Sequence, residues 1–360
     1  MSAAAFITSW PLGLGQGSGT AVFIRALRAA VEATGTPVRL INPGLDARDY
    51  ASFTLERFWF NVQLAHDPTL AQARWVLGLD YDGFALPRSD RQPFIGSARA
   101  VFAELAETEP EPTHTWLRAQ AYFEGHNLRR AHLTVVASEY ARRKVIEHYG
   151  VKPECVRVVP NGIDLTEWDA FWSDAPEPEA GRRPTVLAVS KLYPRKRIGV
   201  LLRAVPLIRR CFPDVEVRIV GGGFEWEALQ ALTHELGIAD SVTWLGDVDD
   251  RRRVVGEFKR CHVFVHPSVQ EAFGNVILES MASARPLVVA DAAAPPELVR
   301  AADAGRVIAP DRPEALAEAV CALLSDDAER ERLGRNGRRF AESMTWARTA
   351  QQFLKLVEQL

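Results

Sequence analysis

Short apolar runs alternate along the whole chain with longer stretches in which apolar positions recur every three or four residues. Runs of the first kind are bounded by glycine, proline or aspartate and read as buried strands, while stretches of the second kind read as amphipathic helices. Regular alternation of the two is expected of a parallel sheet covered by helices. Strands are predicted at residues 3–8, 38–42, 75–79, 94–98, 133–137 and 156–159, and again at 186–190, 216–220, 242–245, 263–266, 287–290 and 306–308. Between the two series, residues 166–184 (TEWDAFWSDAPEPEAGRRP) carry prolines and acids without a period and read as a linker. The division is therefore an α/β domain over 1–165, a linker over 166–184 and a second α/β domain over 185–345. The tail from 315 onward reads as successive helices, with 346–360 crossing back to the first domain. Two doubly wound sheets place a ligand at the carboxyl ends of their strands and in a cleft between them.

Length agrees, because 360 residues exceed the roughly 250 to 300 at which a single core stops growing. A net charge of -3 gives no reason to expect nucleic acid as a partner. Cys155, Cys211, Cys261 and Cys321 are scattered without metal-ligand spacing, so buried reduced thiols and no metal site are expected. The start MSAAAFITSW lacks the basic region of a signal peptide, and no run approaches the roughly 18 apolar residues of a membrane span, so a cytoplasmic protein is expected.

Three segments carry candidate chemistry. PLGLGQGSGT, residues 11–20, follows a strand and opens a helix, where backbone amides can cradle phosphate. It lacks a clean GxGxxG spacing and a GK[ST] ending, and no acid follows the second strand, so a dinucleotide site is weakly supported. In the second half the strand TVLAVS runs into KLYPRKR, delivering Lys191, Arg195, Lys196 and Arg197 past a carboxyl edge where phosphate is the natural partner. Downstream, EAFGNVILE sets Glu271 and Glu279 eight positions apart, on one face if the helix reaches back to Glu271. Carboxylates there can accept hydrogen bonds from sugar hydroxyls while Gly274 lets the backbone approach.

These segments, with IVGGGFE, VTWLGDV, CHVFVHPSVQEAFGNVILESMASARPLVVA, APPELV and VVPNGID, resemble the retaining GT-B glycosyltransferases of family 4 in order and spacing. The resemblance implies two Rossmann-like domains facing a central cleft, and transfer of a hexosyl group from a nucleotide-sugar, UDP-linked first, with retention and without a metal or other cofactor. It implies that Lys191 and Lys196 grip the donor diphosphate, with lysine at 191 in place of the family's usual arginine. Glu279 would hold the ribose, and Glu271 with Phe273, Gly274 and Asn275 would face the donor sugar and diphosphate. Gly221 and Gly223 would form the turn beside the nucleotide, Gly246, Asp247 and Val248 would read the base, and Gly17 and Gly19 would belong to the first domain's loop at the diphosphate.

The first domain resembles the family less closely, as expected if it binds a variable acceptor: a sugar, a glycolipid or another small molecule. Where members often carry a histidine, this chain has Arg99, which cannot act as a base at neutral pH. That departure keeps a nucleotide-sugar binding protein without turnover as the alternative. Asp80-Tyr81-Asp82 reads as the metal-binding DxD of the other glycosyltransferase fold, which the blocks above oppose; Asp80 and Asp82 are expected either to face the acceptor or to form a plain turn. His114, His126 and His132 lack metal spacing. Phe58, Trp59 and Phe60 are expected to serve the first core or an acceptor pocket, with peripheral membrane contact the other reading, given Arg129, Arg130, Arg142, Arg143 and Lys144.

Overall fold

The computed structural model describes residues 3–12, 19–45, 49–179 and 181–360. Two compact units emerge, Met1–Gly162 with Trp346–Leu360, and Ile163–Thr345. In the first, β1 (Ala4–Ile7), β2 (Val38–Ile41), β3 (Val76–Leu79), β4 (Phe94–Ala98), β5 (Leu133–Val136) and β6 (Val156–Val158) form a parallel sheet in the order β2-β1-β3-β4-β5-β6. Its inner strands, β1, β3, β4 and β5, are buried on both faces because helices cover both. Ala4, Phe6, Leu77 and Ile95 pack toward the Gly19–Glu32 helix and the C-terminal Trp346–Val357 helix, whereas Ala5, Ile7, Val76 and Phe94 pack on the other side with Leu64 and Leu86. Trp75 and Phe353 meet edge-on at 5.6 Å, which fixes the terminal helix in this unit.

The second unit holds β7 (Thr185–Val189), β8 (Glu216–Val220), β9 (Val242–Gly246), β10 (Val263–His266), β11 (Leu287–Ala290) and β12 (Gly305–Ile308), parallel in the order β12-β11-β10-β7-β8-β9. The chain thus winds outward from β7 in one direction and from β10 in the other. Loops leaving β7 and β10 at their carboxyl ends turn to opposite faces and leave a crevice, the switch point where such sheets bind ligands. The corresponding reversal in the first unit falls between β1 and β3. All these strands match the sequence reading to within a residue. No helix among the described residues is long and apolar enough to cross a membrane.

The stretch read as a linker is a correction. Leu165–Asp174 is a helix capped by Asp164, and Ile163 to Thr345 belongs to one unit. Trp168 is fully buried edge-on to Phe258 at 5.7 Å, and its Nε1 donates to Ser283 Oγ at 3.1 Å. Arg338 clamps Asp169 through two bonds of 2.7 and 2.8 Å, and Lys259 Nζ donates to the carbonyls of Trp172 and Ala175. One large side chain and a set of polar anchors dock this helix, so no apolar period marks it. Trp168→Ala should therefore cost about 3 to 5 kcal/mol in denaturant unfolding. A cost under about 0.5 kcal/mol, the surface norm, would return the segment to a linker.

Candidate functional site

At the switch point of the second sheet, the loop leaving β7 turns through a short helical turn, Pro194–Lys196. Arg197 follows in the left-handed region at φ 54°, a conformation that costs a side-chain-bearing residue roughly 1 to 2 kcal/mol. An ion pair of 3.0 Å to Asp311 helps hold it there. The loop leaving β10 is tied to this turn, since Val269 N donates to the Arg195 carbonyl at 2.9 Å and Ser268 Oγ donates to it at 3.3 Å. Joined in this way, the two loops bring Lys196 Nζ into a hydrogen-bonded ion pair with the Glu271 carboxylate. His266, the buried last residue of β10, lies with Nε2 3.6 Å from the same carboxylate oxygen.

Burial pushes the Glu271 carboxyl up, but Lys196 and His266 outweigh it and hold it far below the ordinary 4.5. The His266 imidazole is pushed down by burial, which Glu271 only partly offsets, so it is neutral at pH 7. The site thus rests on one ionised pair with a neutral ring behind it.

A second cation is fixed beside the first. Lys191 Nζ meets Asp247 Oδ1 at 2.7 Å, and the same oxygen accepts from the Gly222 amide at 2.9 Å. In the turn Gly221 to Gly223, the first and last positions can hold only glycine. At Gly221, φ is 133° and a Cβ would sit 1.8 Å from the Ser190 carbonyl oxygen; at Gly223, φ is 155° and a Cβ would sit 2.5 Å from the Leu192 oxygen. This close approach joins the β7 and β8 loops, and Gly221 N donates to the Gly246 carbonyl, bringing in the segment of Gly246, Asp247 and Val248.

Glu279 differs from Glu271. The helix spans Asn275–Ala282 and starts at Gly274, whose φ of 87° breaks it from the preceding loop. The condition under which the two acids would share a helix face is not met: Glu271 lies in the loop and Glu279 within the helix. Burial raises the Glu279 carboxyl, and Arg251, with Nη2 3.7 Å away, only partly opposes this. Phe273 is buried behind the helix start.

Two family models match the chain, Glycosyltransferase Family 4 over residues 17–167 and Glycosyl transferases group 1 over residues 172–340. The chain belongs to the family 4 glycosyltransferases of the GT-B fold. A phosphatidyl-myo-inositol mannosyltransferase from Mycobacterium leprae is 32% identical over 226 residues, 62% of this chain and 58% of that protein. A D-inositol 3-phosphate glycosyltransferase from Nocardia farcinica is 30% identical over 317 residues, 85% of this chain and 66% of that protein. The chain thus spans just under two thirds of these relatives' length or less. In fold it is similar to sucrose-phosphate synthase from Thermosynechococcus elongatus, with a TM-score of 0.82 and 20% identity, over 100% of this chain and 99% of that one.

The first unit of this family 4 chain treats its expected site residues differently. Gly17 lies outside the described residues, and Gly19 is the exposed first residue of its helix. Asp80 and Asp82 are buried in a turn, the second of the two readings, and do not face an acceptor. Asp82 accepts from Ser9 N at 2.7 Å, Ser9 Oγ at 2.6 Å and Asn61 Nδ2 at 2.8 Å; Asp80 accepts from Trp10 Nε1 at 2.7 Å and Arg99 N at 3.0 Å. Arg57, fully buried, donates to Ser9 Oγ and lies 4.3 Å from the ring centroids of both Trp10 and Tyr81. The motif anchors the residues that follow β1, and its oxygens are taken by protein donors. Arg99 is likewise turned inward: it donates to Asn161 Oδ1 at 3.0 Å, lies over the Phe23 ring at 3.9 Å, and is pushed down to about 10 by burial. Its guanidinium is engaged within its own unit, donating also to the Val135 carbonyl at 3.3 Å.

Smaller expectations also shift. Trp59 is 63% exposed while Phe58 packs at a tilt against Phe123, ring centroids 4.9 Å apart, so only part of that cluster is core. Cys211 is exposed. His132 Nδ1 accepts from Phe94 N, a packing role. Sequence reasoning missed His266, Arg251 and the Lys191–Asp247 pair; a histidine closing a strand just before proline was the one visible signal.

The two glutamates should affect stability with opposite signs. Glu271, lowered, contributes stability that is present above its ordinary 4.5 and is lost as pH falls toward its folded value. Glu279, raised, imposes a cost that grows as pH rises through 4.5. At pH 7, Glu271→Gln should lose roughly 1 to 3 kcal/mol, a deficit that shrinks below pH 4.5, whereas Glu279→Gln should be neutral or stabilising. Urea unfolding between pH 3 and 8 reads this out, and parallel behaviour of the two variants would reject the contrast.

Proposed function

We propose that this chain transfers a hexosyl group from a nucleotide-sugar to an acceptor hydroxyl with retention of anomeric configuration, using lysines where other transferases use a metal. The supporting observation is the pair of loops at the switch point, which fix two ammonium groups beside a glycine turn that admits no side chain. Each lysine already faces a carboxylate, Asp247 or Glu271, so a donor diphosphate exchanges one anionic partner for another. Charge that builds on the leaving oxygen as the glycosidic bond breaks then meets a preorganised cation. Glu279, half-buried and poorly compensated, gains most from a ligand that donates to it, which suits ribose hydroxyls.

UDP-sugars are the first donors to test. A further relative, a GDP-mannose-dependent alpha-(1-6)-phosphatidylinositol monomannoside mannosyltransferase from Mycolicibacterium smegmatis, 30% identical over 228 residues, puts GDP-mannose beside them, and the relatives' names make inositol phosphate and phosphatidylinositol the first acceptors. Arg99 supports a second reading, binding without turnover, because the position offers no acid or base and its guanidinium is engaged within its own unit. Calorimetry showing donor binding with no transfer or hydrolysis across the panel would favour that reading.

Lys196→Ala should lower kcat by about a hundredfold, the effect of removing one transition-state donor, and full activity would reject its role. The NMR coupling of the product's anomeric proton should match the donor's configuration, and chelator should leave the rate unchanged. Glu279→Ala should raise the donor KM more than it lowers kcat, with about a tenfold to hundredfold loss in kcat/KM. An unchanged KM would remove Glu279 from the site.

A further inference from the structure

The opposite, amino edge of the second sheet carries a charged cavity that the proposed reaction does not use. It has a volume of about 280 Å³ and opens under β7, β10 and β11, lined by Arg182, His262, Arg285 and Arg330 with Asp327 and Ala284. Three guanidinium groups gather there, close enough that Arg285 and Arg330 both act on Arg182.

Their counter-charges are already committed. Asp327 pairs with Arg330, and Glu331, also on the rim, pairs with Arg335 at 3.2 Å. Arg330 spends its other terminal nitrogen on the carbonyls of Leu323 and Leu324. Arg285 uses Nε and Nη2 on the carbonyls of Phe258 and Lys259, and Arg182 uses Nε on that of Arg260. Carbonyls orient a guanidinium without neutralising it, so Arg182 and Arg285 bring two cations held in place by backbone.

His262 adds a neutral donor. Its Nδ1 accepts from Thr185 N at 3.0 Å, which leaves the proton on Nε2. Burial, reinforced by the three arginines, pushes the imidazole down to about 4, so it stays uncharged at neutral pH. The backbone is strained at the same place: Ala284 sits at φ 51°, and the helix Asp327–Ser343 approaches it so closely that a Cβ on Gly334 would lie 2.2 Å from the Ala284 oxygen. A strained residue beside a ligand-sized cavity is a recurring feature of binding sites.

We infer that this cavity is a second anion site, separate from the donor site, that takes a phosphate group, free or as a small phosphomonoester. Guanidinium donors oriented by backbone suit a tetrahedral dianion, and the volume holds a phosphate with at most a small substituent.

The test is calorimetric titration of the full chain with inorganic phosphate, and in parallel with glucose 6-phosphate, at constant ionic strength set with chloride. Saturable phosphate binding should persist in Lys196→Ala, which weakens the donor site, and should weaken about tenfold to a hundredfold in Arg182→Gln. Arg182 makes a single carbonyl contact among the bonds above, so its replacement should leave the unfolding midpoint unchanged. Independently of any variant, phosphate should shift the His262 ring resonances in NMR. Tighter binding of glucose 6-phosphate than of phosphate would identify a phosphomonoester as the occupant, and the reverse a free phosphate. Absence of saturable binding up to about 10 mM, or binding lost in Lys196→Ala and kept in Arg182→Gln, would overturn the inference.

Discussion

The ion pair between Lys196 and Glu271 is the interaction around which the second unit is organised. Removing both charges from water costs several kcal/mol each, and only close pairing with further polar partners recovers it. The fold meets that condition by tying the β7 and β10 loops through the Arg195 carbonyl and by backing the carboxylate with His266. Two left-handed residues serve the same end, Arg197 turning the chain into its helix and Gly274 turning it out of the loop. These constraints persist because the sheet reverses between these two strands, so their loops leave to opposite faces and open a crevice.

The first unit answers the same topology differently. At its reversal between β1 and β3, Asp82, Asp80 and Arg57 form a buried cluster whose bonds run to Ser9 and Trp10. Burial pushes both carboxyls up, and Arg57 pulls them back. Such a cluster specifies where the chain leaves β1, and each of its four carboxylate oxygens already accepts from a protein donor. One unit keeps its charges at the mouth of the switch point, and the other uses them to close it.

The inner strands were legible because they are buried on both faces and so appear as nearly unbroken apolar runs, and the glycine turn because backbone approaches of 1.8 to 2.5 Å at Gly221 and Gly223 allow no other residue there. Lys191, Lys196, Glu271 and Glu279 could be placed at a carboxyl edge from spacing and resemblance alone. Their partners could not. Asp247 lies 56 positions from Lys191 and Glu271 lies 75 from Lys196, so each pairing depends on strand order, which hydrophobic pattern does not encode. The helix holding Trp168 was hidden for a related reason, since it docks through one aromatic ring and several long-range polar bonds. Asp80 and Asp82 misled because a sequence shows a carboxylate without showing what already donates to it.

The contrast between the two glutamates carries the chemistry one step further. A carboxylate held ionised by a lysine, as Glu271 is, keeps that lysine in position while the site is empty and releases it only to a stronger anion. A carboxylate left under-compensated, as Glu279 is, gains from every hydroxyl that donates to it. Under the proposed function, the first arrangement suits phosphate charge and the second suits sugar hydroxyls. A nucleotide-sugar presents both chemistries within one molecule, and eight residues interrupted by a single glycine in the left-handed region are enough to create the two environments.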